Sequence, residues 1–225
     1  MKMQSLQLSN FDMGAILTQF KPALVMAALT FIAAIYNFLD AVPATITLLL
    51  TLVVIAVIYV VIERSKVSYT LTPSHFQQHL YRGGWVVKWT DIERIGICHI
   101  EQEGEQLPLP WIGIKLRRYS PYLNSICPRV GTDILLSQRA LLYIGQRNNG
   151  NNKADFEDIV LDSKEYRSHS GVCYQGLRAA LANRMAYQRE FFGFDIFIST
   201  SDLDRDEESF VGLTRRYLAA AEHEQ

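Results

Sequence analysis

Two long uncharged runs, separated by only two residues, constrain this chain more than any other feature. Residues 22–39 form eighteen positions in which Thr30 and Asn37 are the only clearly polar side chains. Residues 42–62 form twenty-one positions without a charge, and only Asp40 and Ala41 lie between the runs. At the helical rise per residue the two would be about 27 and about 31 Å long, against a hydrocarbon core of about 30 Å. Neither run has a polar face to offer water, and so short a connection forces an antiparallel return. The sequence therefore predicts a transmembrane helical hairpin over residues 22–62.

The remainder divides around that hairpin: an N-terminal segment over 1–21, a charged tether over 63–66, and one α+β domain over 67–225, close to the usual size for a single core. Residues 1–66 hold four basic residues (Lys2, Lys21, Arg64, Lys66) and three acids (Asp12, Asp40, Glu63), so 18 of 22 basic and 20 of 23 acidic residues belong to the domain. A balance this even argues against nucleic acid as a partner and against a broadly polybasic lipid-binding surface. It is also the hairpin that lifts the mean hydropathy to +0.04.

Lys and Arg beside membrane spans tend to stay on the cytoplasmic side. Lys21 precedes the first run, Arg64 and Lys66 follow the second, and the connection has none, so both termini are expected in the cytoplasm. Cys98, Cys127 and Cys173 are widely spaced and lack a CxxC pair, which fits reduced thiols rather than a disulfide framework. A secretory signal has an apolar core of about 7–15 residues, whereas here the apolar run begins after twenty-one residues and is followed at once by another. An uncleaved anchor is expected. Leu6, Leu8, Phe11, Ile16, Leu17 and Phe20 make the first twenty residues mildly amphipathic, as for a segment at the membrane interface.

Behind the tether the period changes to two. Val67, Tyr69 and Leu71 alternate with Ser68, Thr70 and Thr72, and further strands are predicted from Phe76 to Tyr81 and from Trp85 to Trp89, with Gly83-Gly84 as the hairpin between them. A helical turn capped by Thr90 follows, then strands around Ile97 and over 111–117. Pro121, Asn124, Pro128 and Gly131 mark residues 118–133 as a loop. A helix capped at Ser137, a turn over 148–153 and a strand over 156–161 come next. Tyr174, Leu177, Leu181 and Met185 recur at helical spacing up to Gly193, residues 194–198 read as strand or connection, and Ser201 is expected to cap a last helix reaching Ala221. Strands gathered first and helices later favour α+β over alternating βαβ units.

Three motifs carry a resemblance: Tyr69-Thr70-Leu71-Thr72, then Arg82-Gly83-Gly84, then Trp89-Thr90-Asp91-Ile92 with Ile95. Their order resembles the opening of bacterial pleckstrin-homology-like domains attached to membrane hairpins, which implies an antiparallel PH-like sheet closed by Trp89, Ile92 and Ile95. It is confined to residues 67–95, and two long helices over 174–221 exceed that family's usual single closing helix. As a whole the chain looks like uncharacterised two-span inner-membrane proteins of gammaproteobacteria, a resemblance that implies the bacterial inner membrane and no assigned activity.

Few residues carry chemistry. Asp202, Asp204 and Asp206 have the first spacings of an EF-hand loop, but Glu207 stands where its Gly is needed and Leu213 where its bidentate Glu belongs. Acids at a helix start simply oppose the dipole. His75 and His79 are four apart, yet lie in a stretch of strand period with no further ligand, and Cys98-His99 would point to opposite sheet faces. No metal site is expected, and no catalytic residue or cofactor, because P-loop, dinucleotide, Gly-x-Ser-x-Gly and His-Glu-x-x-His patterns are missing. The best basic cluster is Lys115, Arg117 and Arg118 beside Tyr119. It reads either as an anion or lipid-headgroup site, since guanidinium forks fit phosphate, or as a solvated strand edge that discourages aggregation. Arg215-Arg216 suits a helix C-terminus in the same ordinary way.

Three functions are open on these terms. The first is a non-enzymatic scaffold, anchored in the bilayer, that binds partner proteins or itself. The second is an anionic-headgroup sensor working through Lys115, Arg117 and Arg118, and the third an enzyme with a membrane-proximal substrate.

Overall fold

The computed structural model describes residues 4–10, 13–38, 40–102, 104–149 and 155–222. Contacts divide the chain into two units, one made of Met1–Asn10 with Val67–Gln225 and the other of Phe11–Lys66. The first unit begins with strand β1 (Leu6–Ser9). The chain then leaves for the second unit, which holds helices α1 (Met13–Phe38) and α2 (Ala41–Ser65). Within it Thr47 and Thr51 donate their hydroxyls to the carbonyls of Pro43 and Thr47, 2.9 Å each, spending those donors inside the helix. Most large apolar side chains of α2 face outward, Leu49 and Leu50 among them. Two helices thus occupy the region expected to form the hairpin. Among the described residues, the one over Val42–Ser65 is long and apolar enough to cross a membrane, and α1 contributes a shorter apolar stretch, Val25–Ile35.

On its return the chain builds β2 (Val67–Leu71), β3 (His75–Leu80) and β4 (Gly83–Lys88). These form an antiparallel sheet of order β1-β2-β3-β4, in the register Leu6↔Leu71, Tyr69↔Gln78 and Phe76↔Val87. Alternation buries Val67, Tyr69, Leu71, Phe76, Trp85 and Val87 on one face, as period-two patterning requires. The turn between β3 and β4 falls at Tyr81-Arg82, two residues before the expected glycine pair, and Gly83 follows it with φ of +135°. A 3₁₀ turn over Trp89–Asp91 leads into β5 (Ile92–Gln102) and β6 (Glu105–Leu116), a long hairpin.

The next stretch corrects the sequence reading twice. Residues 118–133 hold helix α3 (Ser120–Ser125) and most of α4 (Pro128–Ser137), because Pro121 and Pro128 sit in the first helical turns, where a missing N–H costs nothing. Helix α5 (Arg139–Asn148) follows as expected, with Gln138 rather than Ser137 at its cap position. Residues 156–161 are not a strand but α6 (Phe156–Leu161). Asp155 precedes that helix, Glu157 and Asp158 occupy its first turn, and a short apolar run cannot be assigned by period alone.

A two-stranded ribbon, β7 (Tyr166–Arg167) and β8 (Cys173–Tyr174), leads to α7 (Leu177–Phe192), which ends at Gly193 with φ of +74°, the left-handed cap glycine tolerates best. Strand β9 (Ile196–Ser199) joins the second sheet in the order β5-β6-β9, and α8 (Glu207–Glu222) closes the chain after a short 3₁₀ turn. One apolar cluster joins both sheets and α8: the Phe76 and Trp89 rings stack at 5.4 Å, and Phe210 meets Tyr69 edge-on at 5.4 Å. Antiparallel sheets with several helices make this unit α+β, as expected.

Candidate functional site: an arginine-lined groove

The end of β6, the start of α3, the β7–β8 turn and the last turns of α7 surround a groove of 460 Å³. Arg117, Arg118 and Arg189 line it together with Tyr119, Ser120, Asn124, Tyr166 and the turn residues Ser168 to Ser170. Its electrostatics rest on two buried carboxylates. Asp195, whose side chain is fully buried, accepts the Leu116 N–H (2.7 Å), the Tyr119 hydroxyl (2.8 Å) and a two-pronged bond from Arg189 (2.6 and 2.5 Å). Arg189 also donates to the Leu116 carbonyl, and its hydrogen bond to Asp195 raises its already high pKa. Asp91 is almost as buried and accepts from Nε and Nη2 of Arg118, yet 71 % of the Arg118 side chain stays exposed.

Each carboxylate thus fixes a guanidinium while leaving part of it turned to solvent. That settles in advance the rotamer entropy a ligand would otherwise have to overcome. Arg117 is held by its own backbone N–H on the Asp91 carbonyl (2.8 Å) and by its Nε on the Ile92 carbonyl (3.3 Å). The Tyr119 ring meets the Arg189 guanidinium at 4.9 Å and stacks with the Tyr166 ring at 5.8 Å. Burial first, and then the Asp195 charge, push the Tyr119 hydroxyl far above its ordinary range, so it is held as a proton donor.

Of the basic cluster read from sequence, Arg117 and Arg118 come to this groove. Lys115 does not line it; it pairs with Glu93 at 2.7 Å on the sheet surface, and that bond holds the Glu93 carboxyl below its usual range. Arg189 and Asp195 carry no motif in the sequence, and Asp91 stands there only within Trp89-Thr90-Asp91-Ile92, not as a site residue. They lie 71, 77 and 27 residues from Arg118, a separation that no local spacing signals. Among the topology residues, Arg64 occupies the last turn of α2 and Lys66 donates to Glu63 at 2.6 Å, while the side chain of Lys21 lies outside the described residues.

The weaker motifs take structural roles. His75 and His79 hydrogen-bond with Thr72 and Thr70, and no cluster suited to a metal occurs among the described residues. Asp204 pairs with Arg205, and Asp206 accepts the Ser209 N–H (2.8 Å) at the start of α8. Arg215 reaches back to the Ile95 carbonyl at 2.8 Å.

Fold and groove together define a small α+β module that carries an inserted helical unit and a guanidinium-lined surface site. A family model described as protein of unknown function (DUF2982) matches residues 69–220, and the chain belongs to that family. No curated protein and no solved structure matches it.

Proposed function

We propose that this chain is a membrane-anchored, non-enzymatic module that binds an oxyanion-bearing ligand in the arginine-lined groove. The observation that carries the reading is the pair of guanidiniums, Arg118 and Arg189, each held from behind by a buried aspartate. Guanidinium N–H groups fixed in this way suit phosphate and carboxylate oxygens, and burial of the supporting carboxylates keeps their hold on the arginines strong in salt. The Tyr119 hydroxyl spends its one proton on Asp195, which suits a supporting role rather than proton abstraction.

The anchor is supported by α2 and by strand pairing. Asn10, just past β1, is tied to Val67 at the start of β2: the Asn10 N–H bonds the Val67 carbonyl and the Val67 N–H bonds the Asn10 side chain, 3.1 Å each. Residues paired in one sheet lie on the same side of any bilayer, so the chain between them crosses an even number of times. If α2 crosses, α1 crosses as well, which favours the two-span hairpin. Arg64 and Lys66 then favour cytoplasmic termini at a bacterial inner membrane. Two antiparallel sheets of four and three strands, closed by α8, are also the parts a PH-like domain would use.

Titration of inorganic phosphate into the full-length chain in neutral detergent tests the groove. Saturable binding that weakens about tenfold, or about 1.4 kcal/mol, in Arg118→Lys is expected, since lysine keeps the charge and loses the fork. Absence of saturable binding overturns the reading. Partner binding is a second reading, favoured by exposed Leu136, Tyr143 and Leu161 on α4, α5 and α6. A chain that neither self-associates nor captures a specific protein counts against it.

A further inference from the structure

Beyond the guanidiniums, the groove carries polar groups that an anion alone does not use. The side chains of Ser120, Asn124 and His169 line it and make no hydrogen bond with the described residues. All three can both donate and accept. An ionised phosphate oxygen only accepts, whereas an alcohol hydroxyl does both, so these side chains match hydroxyls better than they match a second anion. Size points the same way. Water in bulk occupies about 30 Å³, and sites for small organic ligands begin near roughly 300 Å³, so a bare phosphate would leave most of the 460 Å³ to solvent.

Both guanidiniums line the groove, with Nη1 of Arg118 and of Arg189 unspent on the described residues. Ser120 and Asn124 come from α3, and His169 comes from the β7–β8 turn. Resting on the oxyanion reading above, we infer that the ligand is a phosphoryl group carried on a hydroxyl-rich alcohol, a polyol phosphate. The unspent Nη1 groups of Arg118 and Arg189 donate to its phosphoryl oxygens. Ser120, Asn124 and His169 exchange hydrogen bonds with its hydroxyls, and the aromatic floor of Tyr119 and Tyr166 shields the pair from water. A soluble sugar or glycerol phosphate and the head group of an inositol or glycerol phospholipid share this chemistry.

Calorimetry on the full-length chain in neutral detergent, with inorganic phosphate, glycerol 3-phosphate and myo-inositol 1-phosphate as probes, tests the inference. The two polyol phosphates are expected to bind at least about tenfold more tightly than inorganic phosphate. In Ser120→Ala/Asn124→Ala that difference should vanish while inorganic phosphate binds as before, which also shows the variant to be folded. Equal affinity for all three probes in the wild-type chain overturns the polyol assignment and leaves the oxyanion site standing. Absence of binding by any of them overturns both. A second arm places the chain in phosphatidylcholine nanodiscs with and without phosphatidylinositol. Loss of inositol phosphate binding only in the phosphatidylinositol discs assigns the ligand to a lipid head group, and retention in both assigns it to a free polyol phosphate; either supports the shared chemistry.

Discussion

Arg189 and Asp195 form a bidentate pair at 2.6 and 2.5 Å in which the carboxylate is wholly buried and the guanidinium is about one-third exposed. The same carboxylate anchors the end of β6 through Leu116 and the floor of the groove through Tyr119. Replacing it by Ala leaves three donors without their acceptor, one of them charged. Asp195→Ala is therefore expected to cost about 3–5 kcal/mol, on the order of 10 °C in melting temperature, by the usual penalty for breaking a buried pair. Asp195→Asn, which keeps an acceptor, should cost less. Thermal unfolding of the full chain checks both, and an Ala variant that melts like the wild type would remove Asp195 from its supporting role.

Arg184 presents the opposite case. It is 2 % exposed on α7, its Nη2 reaches the Val160 carbonyl only at 3.4 Å, and its Nε and Nη1 have no partner among the described residues. Burial, and then the nearby charge of Arg139, pull its pKa down to about 10. A buried cation without a carboxylate is costly, so Arg184→Met, which keeps the volume and drops the charge, is expected to stabilise by about 1–4 kcal/mol. A melting temperature that falls in this variant would mean that the guanidinium is satisfied in solution.

Asp202 supplies the pH dependence. It is half-buried, and desolvation raises its carboxyl above the usual range, only partly offset by Ser201. A carboxyl with a raised folded pKa binds its proton more readily in the native state. Its contribution is complete below the unfolded pKa, near 3.9, and is lost as pH rises through the folded value. Asp202→Asn should therefore be more stable than the wild type at pH 7, with the gain shrinking as pH falls toward 4. Melting curves across that interval check the sign, and a constant difference would contradict it.

How much of this could be seen beforehand depended on whether the signal was local. Strands β2 to β4 were readable because Tyr69, Leu71, Phe76 and Trp85 alternate with polar neighbours, and α7 because its apolar residues recur until Gly193. β1 was not, since four residues gain their strand identity from pairing with β2, across an intervening unit of more than fifty residues. Pro121 and Pro128 looked like breakers because the same residue ends one helix and starts the next. Half of the groove was visible in Arg117-Arg118-Tyr119. The half supplied by Arg189 and Asp195 depends on long-range bonds to the end of β6, and His169 on the β7–β8 turn, which no spacing announces.

The pairing of Asn10 with Val67 makes the anchor testable without reference to any ligand. In sealed vesicles of either orientation, a membrane-impermeant maleimide can be scored by peptide mass spectrometry on the exposed native Cys173 and on the Gln7→Cys and Asp40→Cys variants. A domain tethered at both ends of an inserted membrane hairpin requires that Gln7→Cys and Cys173 label from one face and Asp40→Cys from the other. Labelling of Gln7→Cys and Cys173 from opposite faces, or of all three from the same face, would contradict it.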